Sequence, residues 1–311
     1  MSQYLVTGGA GFIGSHLIEA LIEQGHTVRV LDDLSTGKRE NLPANVELVV
    51  GSIVDADLVK KCMQDVEGVF HLAAVSSVQK SNEDWQGTHQ INLTGTINIL
   101  DAARPNPVPV VYASSAAVYG DNAAMPLQEN SATRPLTAYG ADKLGSELHA
   151  RVASLVHQVP TVGMRFFNVY GPRQDPASPY SGVISIFADR ILRNEDVKTF
   201  GDGEQTRDFV YVKDVVEFLL AAVEKASHHP MVFNVCTGKS TSINQLASTL
   251  MSITGNRVEI TRDNPRAGDI RVSLGDPSRA RYYLGVSASV SLGTGLRSLV
   301  DFVVGEQEQA A

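Results

Sequence analysis

Residues 6–17 read VTGGAGFIGSHL, and no other stretch narrows so far the folds open to this chain. The run YLVTG (4–8) has the apolar, β-branched character of a buried strand. SHLIEALIEQG (15–25) is amphipathic at helical period and stops at a glycine. The pattern therefore predicts strand, tight glycine turn and helix in immediate succession. VRVLDD (28–33), VELVVG (46–51), GVFHLAA (68–74), PVVYASS (109–115) and TVGMRFFN (161–168) read as further strands, with helix-like segments at 55–66, 91–103 and 140–157. Such alternation predicts an α/β fold built on a doubly wound parallel sheet, with ligands gathered at the carboxyl ends of its strands.

After Arg165 the alternation breaks. Residues 169–182, VYGPRQDPASPYSG, form a Pro- and Gly-rich stretch of the kind that carries function on a long loop. Mixed helices and short strands beyond it predict a smaller C-terminal α/β substrate domain. The expected division is 1–168 and 169–311, with 205–237 returning to pack on the first domain, and a polar tail, GEQEQAA, that frays.

Hydrophobic residues at 43% and charged residues at 19% over 311 positions describe a soluble globular protein. A net charge of -8 argues against nucleic acid as a partner, which would need a basic face. Cys62 and Cys236 stand alone, and His228 and His229 lack partner ligands, so neither a disulfide framework nor a metal site is expected. No apolar run approaches the ~20 residues of a membrane span. The start MSQYLVTGG carries no basic leader, so a cytoplasmic location is expected.

Gly9-x-Gly11-x-x-Gly14 fits the dinucleotide fingerprint of a Rossmann-type fold, and Gly8-x-x-Gly11-x-x-Gly14 fits a variant of it. Glycine lets the backbone approach a pyrophosphate, and the N–H groups at the helix start attract its charge. Asp32, closing the second strand, is placed to accept hydrogen bonds from the adenosine ribose and to repel a 2′-phosphate, which favours NAD over NADP. A second signal is TAYGADK (137–143), in which Tyr139 and Lys143 lie four apart on one helix face. An ammonium beside a phenol is expected to lower the tyrosine pKa from about 10 and make it a usable acid or base.

With the glycine loop, the serine cluster of YASSAAVYG and TAYGADK together, the chain resembles the extended short-chain dehydrogenase/reductase superfamily, and within it the UDP-hexose 4-epimerases. The resemblance runs from about Tyr4 to past Asp276. It implies Ser115, Tyr139 and Lys143 as the catalytic residues, with Tyr119 structural. It also implies an NAD site of Gly8, Gly11, Phe12, Ile13 and Gly14, then Asp32, Asp33, Ser52 and Ile53, then Leu72, Ala73, Ala74, Asn92 and Phe166, with Tyr139 and Lys143. For a UDP-sugar it implies Ser77, Ser115, Ala116, Asn168, Val183, Thr199, Phe200, Arg207, Arg266, Asp269 and Ser273. Arg207 and Arg266 suit a diphosphate by their charged forks. Relatives pair as homodimers through two helices, here 91–103 and 140–157.

Four positions depart from the commonest pattern of that family. Ser52 replaces an aspartate on the adenine, Ala117 replaces a hydroxyl residue near the substrate, and Ser76 and Ser77 stand where some relatives place a lysine. Ala116-Ala117 also stand where related dehydratases and decarboxylases carry acids, which argues against both reactions. A small Ser273 leaves room for a 2-acetamido group and favours UDP-GlcNAc/UDP-GalNAc, with UDP-Glc/UDP-Gal open. A uronate, with Arg271 as the cation near C6, a reductase and a non-catalytic NAD-binding protein are the alternatives.

Overall fold

The computed structural model describes residues 1–176, 182–265 and 270–310. Its strands are β1 (Gln3–Thr7), β2 (Thr27–Asp32), β3 (Glu47–Val50), β4 (Gly68–His71), β5 (Val110–Ser115), β6 (Thr161–Phe166), β7 (Asn168–Tyr170), β8 (Val197–Phe200), β9 (Thr206–Arg207), β10 (Phe209–Tyr211), β11 (Met231–Val235), β12 (Thr241–Ser242) and β13 (Ile260–Asp263). Its helices are α1 (Phe12–Glu23), α2 (Ala56–Cys62), α3 (Val78–Glu83), α4 (Trp85–His89), α5 (Gly95–Ala102), α6 (Ala138–His157), α7 (Val183–Leu192), α8 (Val212–Lys225), α9 (Ile243–Thr254), α10 (Ser278–Leu284) and α11 (Leu292–Ala310).

Seven strands form one parallel sheet in the order β11-β6-β5-β4-β1-β2-β3. Side chains alternate across it, as strand geometry demands. Val6 and Val30 face a core with Leu17 and Leu21 of α1 and Phe218 and Leu219 of α8. Leu5 and Leu31 face the opposite core, with Ile99 of α5 and Ala150 of α6. Because both faces are covered, the inner strands are near-continuous apolar runs rather than alternating ones. The chain is thus of Rossmann-like α/β class. The strand order reverses beside β1, whose neighbours are β4 and β2, and such a reversal opens a crevice at the carboxyl ends.

Residues after β6 build smaller units. β7 pairs with β10, β8 with β13, and β9 with β12. A third apolar core joins α7, α9 and α11 through Phe187, Ile191, Leu246, Leu250, Leu296 and Leu299. β11 leaves this region to pair with β6 in the main sheet.

Two local expectations are corrected. The segment 91–103 is not one regular helix: Gln90–Thr94 is a wider π-turn between α4 and α5. Asn92 in that turn bonds the Val75 backbone in both directions, Val75 N–H to Oδ1 at 2.8 Å and Nδ2–H to Val75 O at 3.1 Å. The GEQEQAA tail, expected to fray, stands in the structure as the last part of α11, which runs to Ala310. Among the described residues no helix is long and apolar enough to cross a membrane.

Candidate active site

A cleft of about 380 Å³ opens where β1, β2, β4 and β5 end. Its floor is the glycine turn, and two of those glycines are forced by space. Gly8 has φ 69°, and a Cβ there would lie 2.7 Å from Ala73 N. A Cβ on Gly14 would lie 2.3 Å from Gly8 O, so helix α1 could not sit so close behind the turn. The helix starts at Phe12 with no side-chain cap, leaving its first N–H groups to face the cleft.

Most residues expected at the cofactor do line this cleft. Gly8, Gly11, Phe12, Ile13 and Gly14 form the centre. Asp32, Asp33, Ser52 and Ile53 stand on the β2–β3 side, and Leu72, Ala73, Ala74, Tyr139, Lys143 and Phe166 on the β4–β5–β6 side. Asn92 is placed differently: it lies behind the wall, and its amide holds Val75 in place.

Asp32 is buried, and its carboxylate accepts from Ala10 N–H at 2.9 Å and from Leu34 N–H at 2.9 Å. Burial raises its pKa, and those two bonds oppose the rise. Each carboxylate oxygen keeps a lone pair for a ribose hydroxyl. The Ser52 oxygen accepts from Val54 N–H at 3.2 Å, leaving its own hydrogen to donate.

At the other end, Thr137 caps α6 by accepting from Gly140 N–H at 3.0 Å, which puts Tyr139 in the first turn. Ser115 stands beside the Tyr139 phenol and lowers its pKa, and the Ser115 oxygen accepts from Ala117 N–H at 3.1 Å. Lys143 is buried, donates from Nζ to Ala113 O at 2.9 Å and lies 5.8 Å from the Tyr139 ring centroid. The three expected catalytic side chains are therefore brought together.

Their acidity differs from the expectation. Burial pushes the Tyr139 pKa up, and only Ser115 opposes it. The Lys143 ammonium, directed at Ala113 O, is itself held down to about 8 by burial. Desolvation outweighs the charge–phenol attraction inferred from spacing. Tyr119 lies elsewhere, donating to Asn234 Oδ1 at 2.6 Å and accepting from Arg165 Nη1 at 2.8 Å.

The residues expected at the sugar nucleotide come from several elements. Ala116 follows Ser115 directly, and the buried Ser77 hydroxyl caps α3 by accepting from Lys80 N–H at 3.1 Å. Asn168 opens β7 with its side chain exposed, and Val183 opens α7. On β8, Thr199 turns its hydroxyl to Thr261 O at 3.3 Å, and Phe200 O accepts from Gln205 Nε2 at 2.9 Å. Arg207 Nη1 donates to Thr206 O at 2.8 Å and Ile270 O at 2.7 Å, while the Ser273 N–H bonds Thr206 O at 3.1 Å, so Arg207 and Ser273 are neighbours. Arg266 and Asp269 lie outside the described residues.

Sequence reasoning missed the loop after β2, through Ser35 to Lys38, Glu40 and Asn41, and two further walls of the cleft. One is Arg173 to Pro176, within the flagged GPRQDP loop. Arg173 has φ 67°, its Nη2 donates to Glu19 of α1, and its Nη1 is buried without a hydrogen-bond partner among the described residues. Asp175 pairs with Lys38 at 3.3 Å across the cleft mouth. The other wall is α11, through Leu299, Phe302, Val303 and Glu306, for which no local motif exists. A close-approach glycine turn, an uncapped helix start, a hydrogen-bonded terminal carboxylate and an unpartnered guanidinium nitrogen together fit a dinucleotide with a central pyrophosphate.

The model of the NAD dependent epimerase/dehydratase family matches residues 4–236. A Methanocaldococcus jannaschii protein described as a putative UDP-glucose 4-epimerase is 40% identical over 302 residues, covering 96% of this chain and 97% of that one. The UDP-glucose 4-epimerase of Thermotoga maritima, solved with UDP-glucose, superposes with a TM-score of 0.95 at 39% identity, over 98% of this chain and 99% of the other. The UDP-N-acetylglucosamine 4-epimerase of Methanobrevibacter ruminantium M1, in complex with UDP-N-acetylmuramic acid, superposes with a TM-score of 0.93 at 36% identity over the same shares.

Proposed function

Since the chain belongs to the NAD dependent epimerase/dehydratase family, we propose that it is a 4-epimerase of a UDP-hexose, acting on UDP-GlcNAc/UDP-GalNAc and also on UDP-Glc/UDP-Gal. The observation that carries this reading is the joining of Tyr139, Ser115 and Lys143 at one end of a dinucleotide cleft. Ala116 and Ala117 beside them supply no acid to expel water or assist decarboxylation. NAD, when bound, supplies the acceptor and then the donor of the hydride at sugar C4.

The remaining chemistry belongs to the chain. Tyr139 takes the proton of the 4-hydroxyl and later returns it, while Ser115 holds the C4 oxygen through its hydroxyl. Lys143, protonated below about pH 8, sets a positive charge close to the phenol and so favours its ionised form as the proton moves. The 4-keto sugar must then present its other face. That requires the diphosphate to be gripped and the hexose held loosely. Arg207, with Arg266, is assigned to the diphosphate, within the nucleotide-sugar-binding part after residue 168. Arg173, whose Nη1 has no hydrogen-bond partner among the described residues, is assigned to the cofactor pyrophosphate.

The acetamido preference is supported by the small side chain of Ser273, whose backbone N–H bonds Thr206 O, the carbonyl that Arg207 Nη1 also reaches. A uronate is less well served. Arg271, the cation considered for it, is held in a two-pronged pair with Asp202, at 2.7 and 2.9 Å. Proton NMR of the anomeric signals tests the function: the purified protein, with and without added NAD, is expected to convert UDP-GlcNAc to UDP-GalNAc. No conversion of any of the four sugars, even with NAD, would sink the assignment.

A homodimer is part of this reading. Leu148, Val152, Leu155 and Val156 form an exposed apolar stripe on α6. Changing both Val152 and Leu155 to Glu is expected to convert a dimer to a monomer in sedimentation analysis; an unchanged mass, or a monomeric parent, would refute the contact.

A further inference from the structure

Behind the reacting serine lies a buried polar cluster that the chemistry above does not use. Glu147 and Arg165 form a two-pronged ion pair, Nε to Oε1 at 2.8 Å and Nη2 to Oε2 at 2.7 Å, with both side chains buried. Arg165 Nη1 also donates to the Tyr119 hydroxyl at 2.8 Å and to Glu129 O at 3.0 Å. Tyr119 donates to Asn234 Oδ1 at 2.6 Å, and Asn234 N–H donates to Glu129 Oε1 at 2.8 Å. A buried ion pair is weak ground for stability, because apolar residues of similar volume often replace it at no loss. Its position gives it another role. From this cluster Glu147 Oε1 reaches toward the active site and accepts from Ser114 Oγ at 2.5 Å, one residue before Ser115.

Tyr139, Lys143 and Glu147 are spaced by four and share one face of α6. Each meets the end of β5: Lys143 donates to Ala113 O, Glu147 accepts from the Ser114 hydroxyl, and Tyr139 stands beside Ser115. Three consecutive residues of the strand thus face three successive turns of the helix, two of them through hydrogen bonds. Among these contacts only the Glu147–Ser114 bond is anchored to a rigid cluster away from the ligands. The other two involve groups that must themselves serve the reaction.

We propose that Glu147, clamped by Arg165, is a positioning residue: through Ser114 it fixes the end of β5 against α6 and so sets the Ser115 hydroxyl against Tyr139. The inference rests on the reading of Ser115 and Tyr139 as the reacting pair. Small misplacements at such a pair lower the rate without weakening binding made elsewhere.

The test is Ser114→Ala, which cuts the tie but leaves the Glu147–Arg165 pair whole. Its kcat is expected to fall about tenfold, with KM for the UDP-sugar, NAD content and thermal midpoint unchanged. A second variant, Glu147→Leu with Arg165→Met, removes the pair without leaving a lone buried charge; folded, it is expected to show the same kcat loss. Parental kcat in Ser114→Ala, or in the folded double variant, overturns the proposal. So does a loss spread over kcat, KM and thermal midpoint together, which marks general loosening. Tyr139→Phe and Ser115→Ala run alongside: if these stay active the epimerase reading itself fails, and if they are inactive while Ser114→Ala is unimpaired only this inference fails.

Discussion

Replacing Tyr139 with Phe is expected to lower kcat about 10³-fold, within the range a positioned general acid–base commands. The reason lies in how few contacts the phenol makes. Its hydroxyl stands beside Ser115, and its backbone N–H bonds Ser81 Oγ at 3.3 Å, a contact the substitution keeps. Ser115 retains its bond from Ala117 N–H and is half-buried, so its own hydroxyl hydrogen can meet water, and stability is expected to change by less than about 1 kcal/mol. NAD content and UDP affinity are expected to stay within about twofold, since the glycine turn, Asp32 and Arg207 are untouched. The comparison that isolates chemistry is Tyr119→Phe. That hydroxyl joins Arg165 to Asn234, and its loss is expected to appear in the thermal midpoint. NMR turnover, bound-NAD absorbance and thermal melts of the two variants provide the check. Parental turnover in Tyr139→Phe would remove the residue from the mechanism.

Why these tyrosines could be told apart from sequence, while other features could not, has a physical basis. The glycine turn is legible because the contacts behind it are local: Gly14 and Gly8 are six residues apart, and any Cβ at Gly14 meets Gly8 O. The Tyr139–Lys143 pairing is legible because helical spacing alone puts both on one face. The direction of the Tyr139 pKa is not, because desolvation depends on what the fold stacks above the helix. Asn92 illustrates the same limit. Its place in the family pattern says that it belongs near the cofactor, yet only the fold shows its amide bonding Val75. The α11 wall is the extreme case. Leu299, Phe302 and Val303 read as an ordinary apolar helix stripe, and the third core brings that stripe to the cleft. Arg173 falls between, since its loop is flagged by composition while its role requires Glu19 on α1.

Below the site, His71 should make the protein lose stability in mild acid. It ends β4, is almost fully buried, and bonds Thr96 Oγ1 through Nε2 at 3.0 Å and Thr7 Oγ1 through Nδ1 at 2.7 Å. The Thr96 hydroxyl gives its one hydrogen to Asn92 O at 2.6 Å, so Nε2 carries the proton. Nδ1 is then an acceptor, taking the hydrogen of Thr7, whose oxygen accepts from Ala73 N–H at 3.3 Å. A second proton, on Nδ1, would force the Thr7 hydroxyl to turn its own hydrogen away and would sit near the Lys143 ammonium. Burial, reinforced by that charge, holds the His71 pKa down to about 3. The unfolded chain binds the proton near pH 6.5 and the folded one does not, so stability is full above about 6.5, falls as pH drops below it, and levels off near 3. At about 1.4 kcal/mol per pH unit, His71 alone contributes a loss of about 2–3 kcal/mol between pH 6.5 and 4.5. Urea midpoints of the parent and of His71→Gln at both pH values isolate this effect, because the carboxylates titrate alike in each. The parent is expected to fall more steeply by that amount, and parallel profiles would show that the imidazole accepts its proton in the folded state. Nitrogen chemical shifts of the ring give an independent reading. A neutral, Nε2-protonated imidazole at pH 4.5 is the expected result, and it would fix the hydrogen-bond direction from Thr7 through His71 to Asn92 beneath the cofactor cleft.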